Sequence, residues 1–414
     1  MREMKDSGLP YVGIIPKHWE CIRGKYILKY LSKPVKEDDG VITCFRDGQV
    51  TLRSNRREDG FTMADKEIGY QGIDVGDLVV HGMDGFAGAI GISDSRGKAS
   101  PVLNVLETEQ NKRFIMYYLR SMAYGDVFVA MATGIRVRSC DLRWNKLANF
   151  EYLVPPIDEQ KKIAEFLDVK CSEIDLLISD IQTQIETLEQ YKRSTVAEAV
   201  TKGLDNKVEF KDSTLEWIGK VPAHWEIKPN KYLMKKLKQI QPIYDGEDII
   251  SLTVNGVIKR DLDNPSGKMP TSFDGYQFVY PGNLLMCLFD IDVTPRCIGL
   301  IKDFGLTSPA YSQFVLNKGV DAAYYYYYYL NLDFNKELLH LAKNQRHSLN
   351  EEQFGAIKTV VPPLEEQIAI AKYLDERCDE INECISVKQE QINTLEAYKK
   401  SIIFEYVTGK KEVV

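Results

Sequence analysis

Pro155-Pro156-Ile157-Asp158-Glu159-Gln160 and Pro362-Pro363-Leu364-Glu365-Glu366-Gln367 are two versions of one phrase, 207 positions apart. Upstream of each lies a second shared phrase. Tyr11-Val12-Gly13 and Pro16-Lys17-His18-Trp19-Glu20 return as Trp217-Ile218-Gly219 and Pro222-Ala223-His224-Trp225-Glu226. Downstream, Leu188-Glu189, Tyr191-Lys192 and Ser194 return as Leu395-Glu396, Tyr398-Lys399 and Ser401. The period is half of the 414-residue chain, far too long for a solenoid. The chain therefore reads as two homologous halves, each a globular part followed by a helical part.

The helical parts carry the strongest periodicity. Alternating steps of four and three pick out Leu167, Cys171, Ile174, Ile178, Ile181, Ile185 and Leu188, weakening at Lys192 and Thr195. The same walk in the second half gives Leu374, Cys378, Ile381, Ile385, Lys388, Ile392 and Leu395, weakening at Lys399. Apolar residues at that spacing form a heptad seam. The Pro-Pro pair stops each helix from extending backwards, and the acids that follow suit a first turn. Lys202-Gly203 and Thr408-Gly409 supply the glycine that ends a helix. Each helix spans ~40 residues, or ~60 Å.

The globular parts read as mixed. Val41–Phe45, Asp77–Val80 and Asn283–Met286 are short strand-like runs, whereas Arg113–Met122 and Ala322–Leu330 look helical. Asp47-Gly48 and Asn255-Gly256 mark hairpin turns at matching places. The run Tyr324–Tyr329 suits a helix with one packed face and one half-wet face, because tyrosine buries a ring and hydrates a hydroxyl. Gly85, Gly88 and Gly91 are wrongly spaced for a nucleotide loop and read as strand and turn.

Apolar residues make up 44% and charged residues 27%, ample material for a core and no case for wholesale disorder. No apolar run reaches the ~18–20 residues of a membrane span, and no secretory leader begins the sequence; the expected location is cytoplasmic. The eight cysteines form no Cys-x-x-Cys, and the five histidines no pair at metal spacing, so no metal site is expected. His18 and His224, beside Trp19 and Trp225, read as scaffold. No phosphate-binding glycine loop and no Asp/Asn-Pro-Pro-Phe/Tyr methyltransferase loop occur, and no catalytic residue is assigned.

The net charge of −7 would argue against nucleic acid, but its distribution does not. Residues 158–202 hold ten acids and six bases, and residues 365–409 hold ten acids and five bases, so the rest of the chain is +2. Short basic segments precede the last strand of each globular part. They contain Arg136 and Arg138 in the first copy, and Gln345, Arg346 and His347 in the second. Arginine and glutamine read guanine and adenine edges bidentately in the major groove. Further DNA-contact candidates are Arg53, Arg56, Arg57, Arg96 and Lys98, with Lys259, Arg260, Lys268 and Arg296 in the second copy.

The duplicated Gly-x-x-Pro-x-His-Trp and Pro-Pro-x-x-Glu-Gln phrases, each followed by a long heptad helix, resemble the DNA-specificity subunit of type I restriction-modification systems. The resemblance covers the whole chain and includes the closing Glu405-Tyr406-Val407-Thr408-Gly409. It implies an α+β architecture: two mixed α/β target-recognition domains joined by two long antiparallel coiled-coil helices with an internal pseudo-twofold. The first domain would occupy 1–157, its helical spacer 158–203, the second domain 204–364, and the second spacer with a C-terminal tail 365–414. The resemblance further implies a bipartite, asymmetric site on double-stranded DNA. The partners implied are two methyltransferase subunits bringing S-adenosylmethionine and two motor-nuclease subunits using ATP and magnesium. No cofactor is expected in this chain, and no membrane partner. The alternative is a coiled-coil scaffold that assembles protein partners without reading DNA.

A rigid helix pair would act as a ruler between two DNA readers. Inserting seven residues after Leu188 and another seven after Leu395 lengthens both helices by ~10.5 Å, about three base pairs at ~3.4 Å each. Sequencing of methylated adenines should then find both half-sites kept and the unread gap longer by roughly two to three bases. A mutant that assembles, methylates and keeps its original gap would show that the helices do not set the distance.

Overall fold

The computed structural model describes residues 2–56, 68–131, 141–265, 267, 269–342 and 347–413. The chain divides into two compact units, Met1–Ile181 with Glu390–Val414, and Gln182–Gln389. Each contains a four-stranded antiparallel sheet of the same order. In the first the order is Lys29–Leu31, Leu103–Glu107, Leu78–His81, Ile90–Ile92. In the second it is Met234–Leu237, Ser312–Leu316, Leu284–Met286, Ile298–Leu300. One face of each sheet packs on a thirteen-residue helix, Lys112–Tyr124 or Ala322–Phe334. A final strand, Glu151–Val154 or Lys358–Val361, pairs with Glu20–Arg23 or Glu226–Pro229 and leads into the Pro-Pro turn. Because Val154 lies opposite Glu20 and Val361 opposite Glu226, each His-Trp pair sits beside the start of a long helix.

The long helices run Ile157–Lys202 and Leu364–Val407. Glu159 and Glu366 in their first turns do more than complement a helix dipole. Trp19 is wholly buried, and its indole N–H donates to Glu159 Oε2 at 3.1 Å, which also lies 2.8 Å from His18 Nε2. Arg2 donates to the other oxygen at 2.8 Å. In the second unit Trp225 donates to Glu366 Oε2 at 2.9 Å, and His224 Nε2 lies 2.6 Å from Oε1. The next residue completes the clamp. Buried Gln160 accepts from the Asn111 backbone N–H at 2.9 Å and donates to the Pro155 carbonyl at 2.8 Å. Gln367 does the same with Asp321 at 2.8 Å and Pro362 at 2.8 Å. Asn111 and Asp321 are themselves the N-caps of the domain helices, accepting from Phe114 and Tyr324 N–H.

The heptad seam is present along both helices. Leu167, Ile174, Ile185, Leu374, Ile381 and Ile392 are at most 6% exposed. Ile178, Ile181, Leu188, Ile385 and Leu395 are half-buried among exposed neighbours. In the first unit Lys399 donates to both oxygens of Asp175, at 2.6 and 2.7 Å, and the Phe166 and Tyr406 rings lie 4.4 Å apart. In the second, Lys192 donates to Asn382 at 2.6 Å and Lys388 to Gln184 at 2.5 Å. In both units partner numbers fall as helix numbers rise, so the helices run antiparallel. The lysines that weaken the sequence pattern therefore stay in the seam and bond across it. Beyond them burial resumes at Val196, Ala199 and Val200 and at Ile402, Ile403 and Val407. Each domain core thus receives the beginning of one long helix and the end of the other.

The tyrosine run departs from its expected half-wet face. Only Tyr326 is half-buried; the other five are buried, because the helix lies between the final strand and the long helices. Three of their hydroxyls find partners in this way: Tyr324 donates to Val200 O at 3.0 Å, Tyr325 to Val360 O at 3.0 Å, and Tyr327 to Asp375 at 2.7 Å.

The first domain is also tied by an ionic network. Arg96 reaches Asp39 at 2.7 Å and Asp74 at 2.6 Å, and Lys33 reaches Asp74 at 2.8 Å and Asp77 at 2.7 Å. Hydrogen bonds from Lys33 and Arg96 pull the Asp74 carboxyl down to about 2.

Two outcomes follow for stability. Glu366→Ala strands the buried indole N–H of Trp225, a loss of about 1–3 kcal/mol, and should expose that indole first in hydrogen exchange; unaltered protection would contradict the clamp. The Asp74 pKa is depressed on folding, so its contribution is complete above the unfolded value of ~3.9 and is lost as pH falls towards about 2. Acid titration of Asp74→Asn should show a weaker loss of first-domain stability between those values than the parent protein shows.

Candidate nucleic-acid interface

Each domain carries a hairpin laid closely over glycines. In the first, Ile42–Cys44 pairs with Val50–Leu52. The turn between them is Arg46-Asp47-Gly48, with Gly48 at φ +89°. A Cβ on Gly91 would stand 1.9 Å from the Gly48 carbonyl oxygen, and one on Gly97 2.4 Å from that of Gly40. In the second, Ile250–Thr253 pairs with Gly256–Lys259, and the turn centres on Val254-Asn255, one residue earlier than the Asn-Gly pair suggests. There a Cβ on Gly299 would meet Val257, and one on Gly305 the Asp248 carbonyl, at 2.3 and 2.4 Å. The glycine-rich Gly85–Gly91 stretch is thus turn and strand that let the hairpin lie close.

Arg53 and Arg260 occupy one place in this frame, their backbone N–H groups donating to Val41 O at 2.9 Å and Ile249 O at 2.8 Å. Around Arg53 the first domain forms a concavity of about 550 Å³ lined by Arg46, Arg56, His81, Asp47 and Asp84, among others. Arg46 pairs with Asp84 at 2.8 Å and Arg56 with Asp47 at 2.7 Å, while the Arg56 guanidinium lies 4.3 Å above the Phe45 ring. His81 Nδ1 accepts from the Met83 and Asp84 N–H groups at 3.2 and 3.0 Å, which leaves the neutral ring's proton on Nε2. Burial holds this imidazole below its ordinary pKa.

The remaining candidates scatter. Arg96 is engaged by Asp39 and Asp74, away from this concavity. Lys98 lies in the strand Gly97–Ala99 paired with Gln71–Ile73. In the second domain Lys259 pairs with Asp248 at 2.6 Å, and Arg296 donates to the Tyr326 hydroxyl at 3.3 Å. His347 sits at φ +44°, its carbonyl accepting from Ile291 N–H at 3.2 Å. Arg57, Arg136, Arg138, Lys268, Gln345 and Arg346 lie outside the described residues. Arg46, His81 and Asp84 were not singled out by sequence reasoning; the available signal was an arginine directly before the Asp47-Gly48 turn. Among the described residues no group of His, Cys, Asp and Glu could hold a metal ion, and no helix is long and apolar enough to cross a membrane.

The family model for the type I restriction modification DNA specificity domain matches residues 301–397. The chain is 27% identical to the type I restriction enzyme MjaVIII specificity subunit of Methanocaldococcus jannaschii, across 96% of this chain and 94% of that one. In fold it is similar to a solved chain from work on complex assembly and conformational transition of the type I R-M system. That likeness has a TM-score of 0.68 at 12% identity and covers 96% of this chain and 99% of the other. The chain thus carries a match to the type I restriction modification DNA specificity domain within its second half and is similar along nearly its whole length to a type I restriction enzyme specificity subunit.

Proposed function

We propose that the two domains read the two halves of a bipartite, asymmetric site on double-stranded DNA, and that the chain directs adenine methylation and DNA cleavage by partner subunits. Two methyltransferase subunits would bring S-adenosylmethionine, and two motor-nuclease subunits ATP and magnesium. This chain supplies recognition and no bond-making step. The observation that carries the reading is the hairpin frame, alike in both domains down to Arg53 and Arg260 yet bearing different side chains around them. A shared frame with unlike surfaces suits two readers of unlike half-sites. Two linked readers gain avidity only on DNA that presents both halves at a separation they can span.

Sequencing of methylated adenines in cells with and without the gene tests this. One split motif, with unlike halves, should vanish with the gene. Normal assembly of the partners without any selective methylation would instead favour the scaffold. Arg136→Ala with Arg138→Ala should relax one half only, a bidentate base contact being worth ~1–3 kcal/mol. Equal damage to both halves would remove this loop as a reader.

A further inference from the structure

We propose that the concavity beside the first domain's hairpin, lined by Arg46, reads a G·C base pair of the first half-site through the major groove. This rests on the reading of the chain as a DNA-recognition subunit and names the chemistry of one of its two readers.

The argument starts from how the arginines are held. Arg46 remains 63% exposed although paired with Asp84, and Arg56 38% exposed although paired with Asp47. A guanidinium has five N–H donors, and a carboxylate at one edge fixes its orientation while the others face outward. Ordering it in advance lowers the entropy lost on binding. The carboxylates also decide what kind of ligand suits the site. They offset the arginine charges and would repel a phosphate, so the site is a poor anion hole but keeps its directional donors and acceptors. A G·C pair presents guanine N7 and O6 as acceptors beside the cytosine N4 amino donor. Arg46 matches the first and Asp84 the second. His81, held with its proton on Nε2, adds a neutral donor in the same concavity.

The second domain lacks this set. Where the first has Arg46 and Asp47 in the hairpin turn, the second has Val254 and Asn255. Asp263 stands in the place of Arg56, and Cys287 follows the strand that corresponds to Leu78–Val80. This Arg46-based reading of a G·C pair therefore belongs to the first half-site.

The test uses the assembled complex with its methyltransferase partners. Arg46→Lys keeps the charge but not the fork. It should relax one G·C position of the first half roughly 10–100-fold and leave the second half intact. On purified wild-type complex, replacing guanines of the first half one at a time with 7-deazaguanine, which lacks the N7 acceptor, should weaken binding at one position. Arg46→Lys should add little further loss there. A uniform fall across all sequences with a shallower salt dependence would mark a phosphate contact and overturn the proposal. So would a wild-type motif kept by the variant, or 7-deazaguanine tolerated at every position. If Arg46→Lys fails to assemble, the 7-deazaguanine series on the wild-type complex decides alone. Absence of any selective methylation by the wild-type complex would be a failure of the underlying DNA-recognition reading, a result distinct from these.

Discussion

A carboxylate placed three residues into each long helix sets how that helix leaves its domain. Trp19 and Trp225 are the largest wholly buried side chains, and each has one polar atom that must find an acceptor inside. Glu159 and Glu366 provide it, and in doing so tie the start of a helix to the entry strand of its own domain. The neighbouring glutamine extends the tie to the N-cap of the domain helix. Domain helix, final strand and long helix are thereby held at one junction, built twice from the same residues.

The seam carries that junction onward. Apolar residues close the helix pair near each domain, while Lys192, Lys388 and Lys399 occupy later seam positions and bond to acceptors on the facing helix. A lysine in a seam costs stability compared with leucine, but a partnered one penalises a slipped register, because slipping would leave a half-buried ammonium without its acceptor. Polar positions within an apolar seam therefore fix alignment. At Lys192 burial lowers the pKa, and its partner is the neutral Asn382.

The domains separate frame from message. Glycines at 91, 97, 299 and 305 let a hairpin approach the underlying chain more closely than any side chain would permit. That constraint says nothing about what the hairpin displays. Arginine–aspartate pairs gather on it in the first domain, and Val254 and Asn255 take the turn in the second. A reader can change its preference at such positions without disturbing its support.

The duplication, the two helices with their seam, the hairpins and the domain helices are legible in the sequence, because repeats and periods of 3.5 or 2 residues are local patterns. The sequence also marked Glu159, Gln160 and the His-Trp pairs as important, though not that they touch. That Glu159 meets Trp19 across 140 positions emerges with the folded chain. So do the packing of the tyrosine helix almost all round, and the engagement of Arg96 by Asp39 and Asp74 whereas Arg46 faces a concavity. The physical reason is the same in each case. A charged or aromatic side chain takes its role from the partner that reaches it, and that partner is brought in by folding from a part of the chain that local pattern cannot see.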